Sequence, residues 1–403
     1  MSTPLLDPVT TTDGRIYTRQ FFLLCLSSFL FFVSFNMIIP ELPDYLEAMG
    51  GGKYKGLIIA LFTLTAMLSR PFSGKLTDRV GRIPIMIVGA VVCFFMGILY
   101  PMAHIMATFF AIRLLHGFST GFKPTGTSAY VADIVPANRR GEAMGVLGMS
   151  GSVGMAIAPT MGSEVASAFG LNAMFYASSV FAILSIVILL GMKETLPKPE
   201  PFRLSLLKIR RDDVIEPKVM HPSIVLAFMV FCFGVVLTVI PDFSKELGLD
   251  NKGIYFTIIT VVSVSLRFFA GKLSDRWGRM NVLIVAAVIM IAGMVVTGMA
   301  STPQEFYIGA VIYGAAVGMN YPALYAWVID WADPNRLGRG VATMFILLEI
   351  GIGIGALLSG WIFGNIAANI PYTFFLAAGS AAMSLLYLLG LRLYLTKRGR
   401  AIP

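Results

Sequence analysis

The chain has 403 residues, of which 57% are hydrophobic and only 13% charged, with a net charge of +9. Soluble domains carry roughly 45–50% apolar and about 25% charged residues, so this chain lacks the polar surface that a water-soluble fold of its length requires. That balance excludes a soluble enzyme, and the absence of a basic, soluble face excludes a nucleic-acid-binding domain.

The apolar residues fall in blocks near 20 residues long, the length that crosses a hydrocarbon layer about 30 Å thick. Twelve blocks are predicted, at 21–39, 56–73, 83–102, 109–132, 143–163, 175–192, 224–240, 255–270, 282–299, 306–329, 341–362 and 374–393. The first is membrane-length and lacks a small-residue cleavage site, so it reads as a span and not as a secretory signal. Of 31 Lys and Arg, 23 lie in the tails and alternate loops, whereas the opposite loops hold only Lys53, Lys55, Lys245 and Lys252. The positive-inside rule then places both termini in the cytoplasm, and an inner membrane of bacterial type is expected. Cys25, Cys93 and Cys232 sit inside apolar blocks without CxxC or Cys/His spacing, so no disulfide, metal or other cofactor is expected.

The charged segment between the second and third blocks occurs twice. Gly74-Lys75-Leu76-Thr77-Asp78-Arg79-Val80-Gly81-Arg82 returns 197 residues later as Gly271-Lys272-Leu273-Ser274-Asp275-Arg276-Trp277-Gly278-Arg279. At the same offset Gly56 matches Gly253, Arg70 matches Arg267, Asp133 matches Asp330 and Arg139 matches Arg336. Pro43-Asp44 and Pro241-Asp242 correspond with one residue of slippage. The reading is two six-helix units, 1–192 and 222–403, joined by a cytoplasmic linker at 193–221 that carries Pro197, Pro199, Pro201 and Pro217. A short surface helix is expected around 204–211. Internal repeats of this kind mark secondary transporters, with the substrate site between the halves near the bilayer midplane.

The doubled G-x-x-x-D-R-x-G-R resembles the signature loop of the major facilitator superfamily, with Ile83 and Met280 where a basic residue usually follows. Arg113-Leu114-Leu115-His116-Gly117 is similar to the R-x-x-Q-G motif of the 12-helix drug/proton antiporter branch, with His116 in place of Gln. Gly154-x-x-x-Ala158-Pro159-x-x-Gly162-Ser163 is similar to that branch's G-x-x-x-G-P-x-x-G-G, with Ala158 and Ser163 replacing two glycines. Arg70-Pro71, Arg267-Phe268 and an acid in the eleventh span are also similar to exporters of opine-type metallophores. The resemblance implies an all-α membrane protein with 12 transmembrane helices in two pseudo-symmetric six-helix bundles, working as a monomer by alternating access.

Candidate site residues fall into four groups. Asp78, Arg79, Arg82 and Asp133, repeated as Asp275, Arg276, Arg279 and Asp330, form a cytoplasmic gate in which charge-assisted bonds join the inner ends of two helices. Otherwise the basic residues only enforce topology. The resemblance implies that this latch stabilises the outward-facing state. Glu349 is the only acid well inside a span, where a charge costs about 2.5–3.5 kcal/mol or more. It either takes up and releases the coupling proton or pairs with a nearby arginine. The resemblance implies that Arg113 responds to the same proton movement.

Arg70 precedes Asp78 by eight residues, roughly 12 Å of helix, and Arg267 repeats that depth. Two arginines facing one cavity suit a carboxylate or phosphate, unless each caps carbonyls or pairs with Glu349. Lys123, its counterpart Asn320, the adjacent Tyr321, and Asn36 complete the substrate-binding candidates. Gly154, Pro159 and Gly162 form a packing or hinge segment, and Gly117, Gly121, Gly314 and Gly318 allow close helix approach.

No Walker loop, nucleophile triad or ligand cluster is present, so an enzyme is not expected. The expected activity is proton-coupled export of a small organic molecule. Four buried cations against one acid favour an anionic or zwitterionic substrate. The alternatives are an uptake symporter or facilitator for an organic anion or sugar, and a non-transporting membrane sensor. The expected partners are the substrate, protons and the lipid bilayer.

Overall fold

The computed structural model describes residues 16–136, 139–208, 215–332 and 337–398. Arg336 lies outside these residues. The described chain folds into helices: α1 Arg19–Met37, α2 Leu42–Ala48, α3 Gly56–Arg79, α4 Arg82–Leu99, α5 Met106–Ile134, α6 Arg140–Phe169, α7 Leu171–Leu190, α8 Met220–Glu246, α9 Ile254–Trp277, α10 Arg279–Gly298, α11 Pro303–Trp331, α12 Leu337–Phe363 and α13 Ile370–Lys397. All but the short α2 are long. Among the described residues nine helical stretches are long and apolar enough to cross a membrane. Helix α9, whose two parts meet at 51°, would make a tenth. Helices α5 and α11 fall short of that apolarity because they carry polar side chains and glycines on their inward faces, Arg113, His116 and Lys123 on one and Asn320 on the other.

Local chemistry sets the ends. Thr302 accepts from the backbone of Glu305 and receives its carboxylate in return, a reciprocal cap that starts α11. Gly81 and Gly278 join α3 to α4 and α9 to α10 at φ 141° and 87°, a region that side chains with a Cβ avoid. The doubled charged segment is therefore mostly helical and not a loop. Its first six residues finish α3, its counterpart through Trp277 finishes α9, and only the turn at the glycine is non-helical. The expected linker helix is a single 3-10 turn, Leu204–Leu207, and residues 209–211 lie outside the described part.

Helices α1, α3, α4, α5, α6 and α7 pack among themselves, as do α8 to α13. The two sets meet along α3 with α12 and α6 with α9. Chain direction alternates, so the described part of the linker, the doubled turns, the start of α1 and the end of α13 share one face, here the linker face. The connections through α2, between α8 and α9 and after α12 lie at the far face. Large apolar side chains such as Trp361 and Leu190, 80% and 68% exposed, cover the perimeter, where lipid tails satisfy them.

Candidate functional site

Between the two bundles lies a cavity of about 460 Å³. Its wall is mainly apolar, with Phe32, Phe233, Phe256, Phe345, Met155 and Met229 among the lining residues. It runs from Ile39, Pro159 and Phe256 toward the linker face at Ser128 and Met144. The charged lining residues are Arg70 from α3 and Arg267 from α9, so the repeat brings its matched arginines into one space.

Their surroundings differ. Arg70 donates from Nη2 to Glu349 Oε1 at 2.7 Å, an ion pair across the bundles whose side chains are only 11% and 7% exposed. Its guanidinium also lies 4.5 Å from the Phe345 ring centroid. Arg267 has no carboxylate partner among the described residues. It donates from Nη1 to Ser152 Oγ at 3.2 Å and lies 5.4 Å from the Tyr321 ring centroid. Its Nε, the Nε of Arg70 and Asn320 Oδ1 are buried without hydrogen-bond partners. Such orphaned polar atoms are costly in a dry interior. Asn36 also lines the cavity, with its amide turned back to Phe32 O at 2.8 Å.

Two predicted members are placed elsewhere. Lys123 is a correction: it points into the first bundle, donating to Ser27 O and Oγ at 3.2 and 3.1 Å and lying over Phe31. A face shared with Asn320 in sequence becomes a core position because α1 packs there. Arg113 is buried against α3, donating to Ile58 O at 2.8 Å and to Tyr100 Oη at 3.1 Å, with no contact to Glu349.

The small residues serve close approach. A Cβ at Gly154 would lie 2.8 Å from Phe29 O, and one at Gly162 would overlap Met37 O, so α6 fits tightly on α1. Gly117 and Gly121 press α5 onto α3, and Gly314 and Gly318 press α11 onto α9. Pro159 sits at the far end of the cavity, against Gly253 of the other bundle.

At the linker face each half carries its own charge clip. Arg82 donates to Asp78 Oδ1 and Asp133 Oδ2, both at 3.0 Å. In the second half Arg279 pairs with Asp275, and with Asp330 at 3.2 Å. Arg79 instead reaches Glu200 of the linker at 2.8 Å, with both side chains about half exposed, and Arg276 is exposed, with no ion pair among the described residues. The clips join helix ends within a bundle and are formed while the far face is shut.

The far face holds a charge cluster that the motif reading missed. Lys55, 1% exposed, uses all three ammonium donors: on Asp242 of the other bundle, and on Glu47 Oε2 and Asn365 Oδ1, both at 2.7 Å. Lys252 reaches back, donating at 2.7 Å to Glu41 Oε2 and Asp44 Oδ2. Nearby, Asn251 donates to Glu164 Oε1 at 2.7 Å and Thr160 meets Thr257 at 2.8 Å. Burial works against the charge of Lys252, but Glu41 and Asp44 outweigh it and hold its pKa above the usual lysine value. The signal was present in the repeat. Lys55 and Lys252 stand 197 residues apart, and Asp44 and Asp242 stand 198 apart, so each half lends its lysine to the other half's aspartate.

Two helical bundles around a largely apolar cavity, closed at one end and joined beside it by an ion pair, define a multi-pass integral membrane transporter. The chain belongs to the Major Facilitator Superfamily, whose model matches residues 24–303 and again 224–401. It is 25% identical over 401 residues to the uncharacterized MFS-type transporter YhhS of Escherichia coli K12, covering 96% of this chain and 95% of that protein. It is 28% identical over 376 residues to multidrug resistance protein 2 of Bacillus subtilis, covering 89% and 92%. The human organic anion transporter MFSD10 superposes with a TM-score of 0.71 at 18% identity, over 92% of this chain and 99% of that one, which shows a shared fold. Membership in this family makes the chain a transporter and not an enzyme.

Proposed function

We propose that this chain exports a small organic molecule bearing a carboxylate, in exchange for protons, across a bacterial-type inner membrane. The linker and both chain ends are cytoplasmic in this reading, and the structure is the inward-facing member of an alternating-access cycle. A single chain holds both bundles and the whole cavity, so a monomer in its lipid bilayer is the working unit.

The observation that carries the reading is the Arg70–Glu349 pair. It links α3 to α12 beside the cavity, and a proton on Glu349 cancels the charge that holds it. Proton uptake at that carboxylate thus bears directly on whether the bundles stay joined there. The similarity to a multidrug resistance protein favours export over uptake.

The test incubates everted membrane vesicles in a small-molecule extract of the host cells and reads the contents of their lumen by untargeted mass spectrometry. Acidification of the lumen should drive accumulation of at least one compound that vesicles lacking the protein do not take up. Glu349→Gln should abolish the gradient-driven component and spare exchange of preloaded compound. Equal accumulation after the pH gradient is collapsed overturns proton coupling.

A further inference from the structure

We infer that the transported molecule is a zwitterion, with its carboxylate on Arg267 and its ammonium on Glu349. The inference rests on the proton-coupled export proposed above and decides between the substrate charges that reading leaves open.

The argument is a charge tally. Arg70 and Arg267 line the cavity, and Glu349, beside it, pairs with Arg70 alone, which leaves one positive charge without a carboxylate among the described residues. Arg267 carries it, with one neutral hydroxyl partner and an unpartnered Nε. A carboxylate there restores neutrality, whereas a purely cationic molecule raises the charge of a poorly solvated space.

A plain anion fails for a different reason. Protonating Glu349 raises the cavity from one net positive charge to two, so an anion binds more tightly when the proton is present. That linkage carries anion and proton in the same direction. Exchange needs a ligand that the proton displaces, and only a group bringing positive charge to Glu349 is displaced in that way. Glu349 uses Oε1 on Arg70, and its other oxygen has no hydrogen-bond partner among the described residues. The ammonium therefore has an acceptor, and Asn320 Oδ1, unpartnered and on a side chain 3% exposed, offers a second. The Tyr321 ring, 5.4 Å from the Arg267 guanidinium, follows Asn320 on α11. The surrounding phenylalanine and methionine side chains suit an apolar body.

The experiment measures binding of three molecules with one body to the full-length protein in lipid nanodiscs: tryptophan, indole-3-propionate and tryptamine. Tryptophan should bind most tightly and should weaken as the pH is lowered, because a proton on Glu349 removes the charge that holds the ammonium. Arg267→Gln should lower affinity for tryptophan and indole-3-propionate about tenfold or more and leave tryptamine unchanged, because it removes a charge-assisted bond. Arg267→Lys should keep most of that affinity, separating lost charge from lost folding. Glu349→Gln should weaken tryptophan and tryptamine and remove the pH dependence. Three results each overturn the assignment: indole-3-propionate binding as tightly as tryptophan and gaining affinity at low pH, tryptamine binding best, or none of the three binding. Gradient-driven accumulation in vesicles is read separately, so the zwitterion assignment can fall while proton-coupled export stands.

Discussion

The two ends of the molecule use the same residue types in opposite ways. At the far face the charges cross between bundles, with Lys55 on Asp242 and Lys252 on Glu41 and Asp44. At the linker face the arginines stay at home, with Arg82 and Arg279 each clipped to aspartates of its own bundle. Both arrangements obey the internal repeat. A contact within one bundle survives when the bundles rock, and a contact between them breaks. The far-face lysines therefore help to choose the conformation, and the linker-face arginines keep each bundle a rigid body.

This contrast breaks first at Lys55, which is buried and fully committed. Removing one partner of a buried pair costs about 3–5 kcal/mol, because the other is left uncompensated. Lys55→Met should shift the balance toward a far-open state by about 100-fold to several thousandfold. The readout is the distance between spin labels placed on α2 and on the α8–α9 connection. A distribution unchanged from the wild type would mean that packing of α3 on α12 closes that end without the charges.

Alkaline titration should have a smaller effect, through Lys252. A lysine whose pKa is raised in the folded state contributes fully below the ordinary value of 10.5, and that contribution is lost as pH rises through the higher value. The far end should stay closed to pH 10.5, as the same label distances would record. Opening well below that pH would deny Lys252 its share of the closure.

Smaller still are the clips. Arg82→Ala and Arg279→Ala should each lower thermal stability by about 1 kcal/mol and leave the far-face distances alone. Arg79→Ala, which loses a half-exposed contact to Glu200, should change melting by less than about 0.5 kcal/mol. A clip variant that opened or closed the far face would erase the distinction between the two ends.

Much of this arrangement could be read from residue order. Glu349 and the paired arginines stood out because a charge inside an apolar run needs a reason, and Arg70 and Arg267 do share the cavity. The far-face gate was harder to see. Its lysines and acids lie in loops and helix ends where charges are ordinary, and only the 197-residue spacing of Lys55 and Lys252 hinted at a paired role. Lys123 misled because its repeat partner Asn320 faces the cavity, whereas Lys123 meets the backbone of α1. A repeat transmits helix position faithfully and side-chain company poorly.

By itself the sequence determined that the chain spans a membrane, that it is built as a doubled unit, and where its charged turns fall. These follow from local properties: hydrophobic length, repeat offset, and glycines placed where φ must be positive. Only the tertiary structure decided which charges meet. That Arg70 is neutralised by Glu349 while Arg267 is not, and that each lysine crosses to the opposite bundle, depends on how α3 lies on α12 and α6 on α9. Those contacts join residues hundreds of positions apart through packing geometry, which no local pattern encodes.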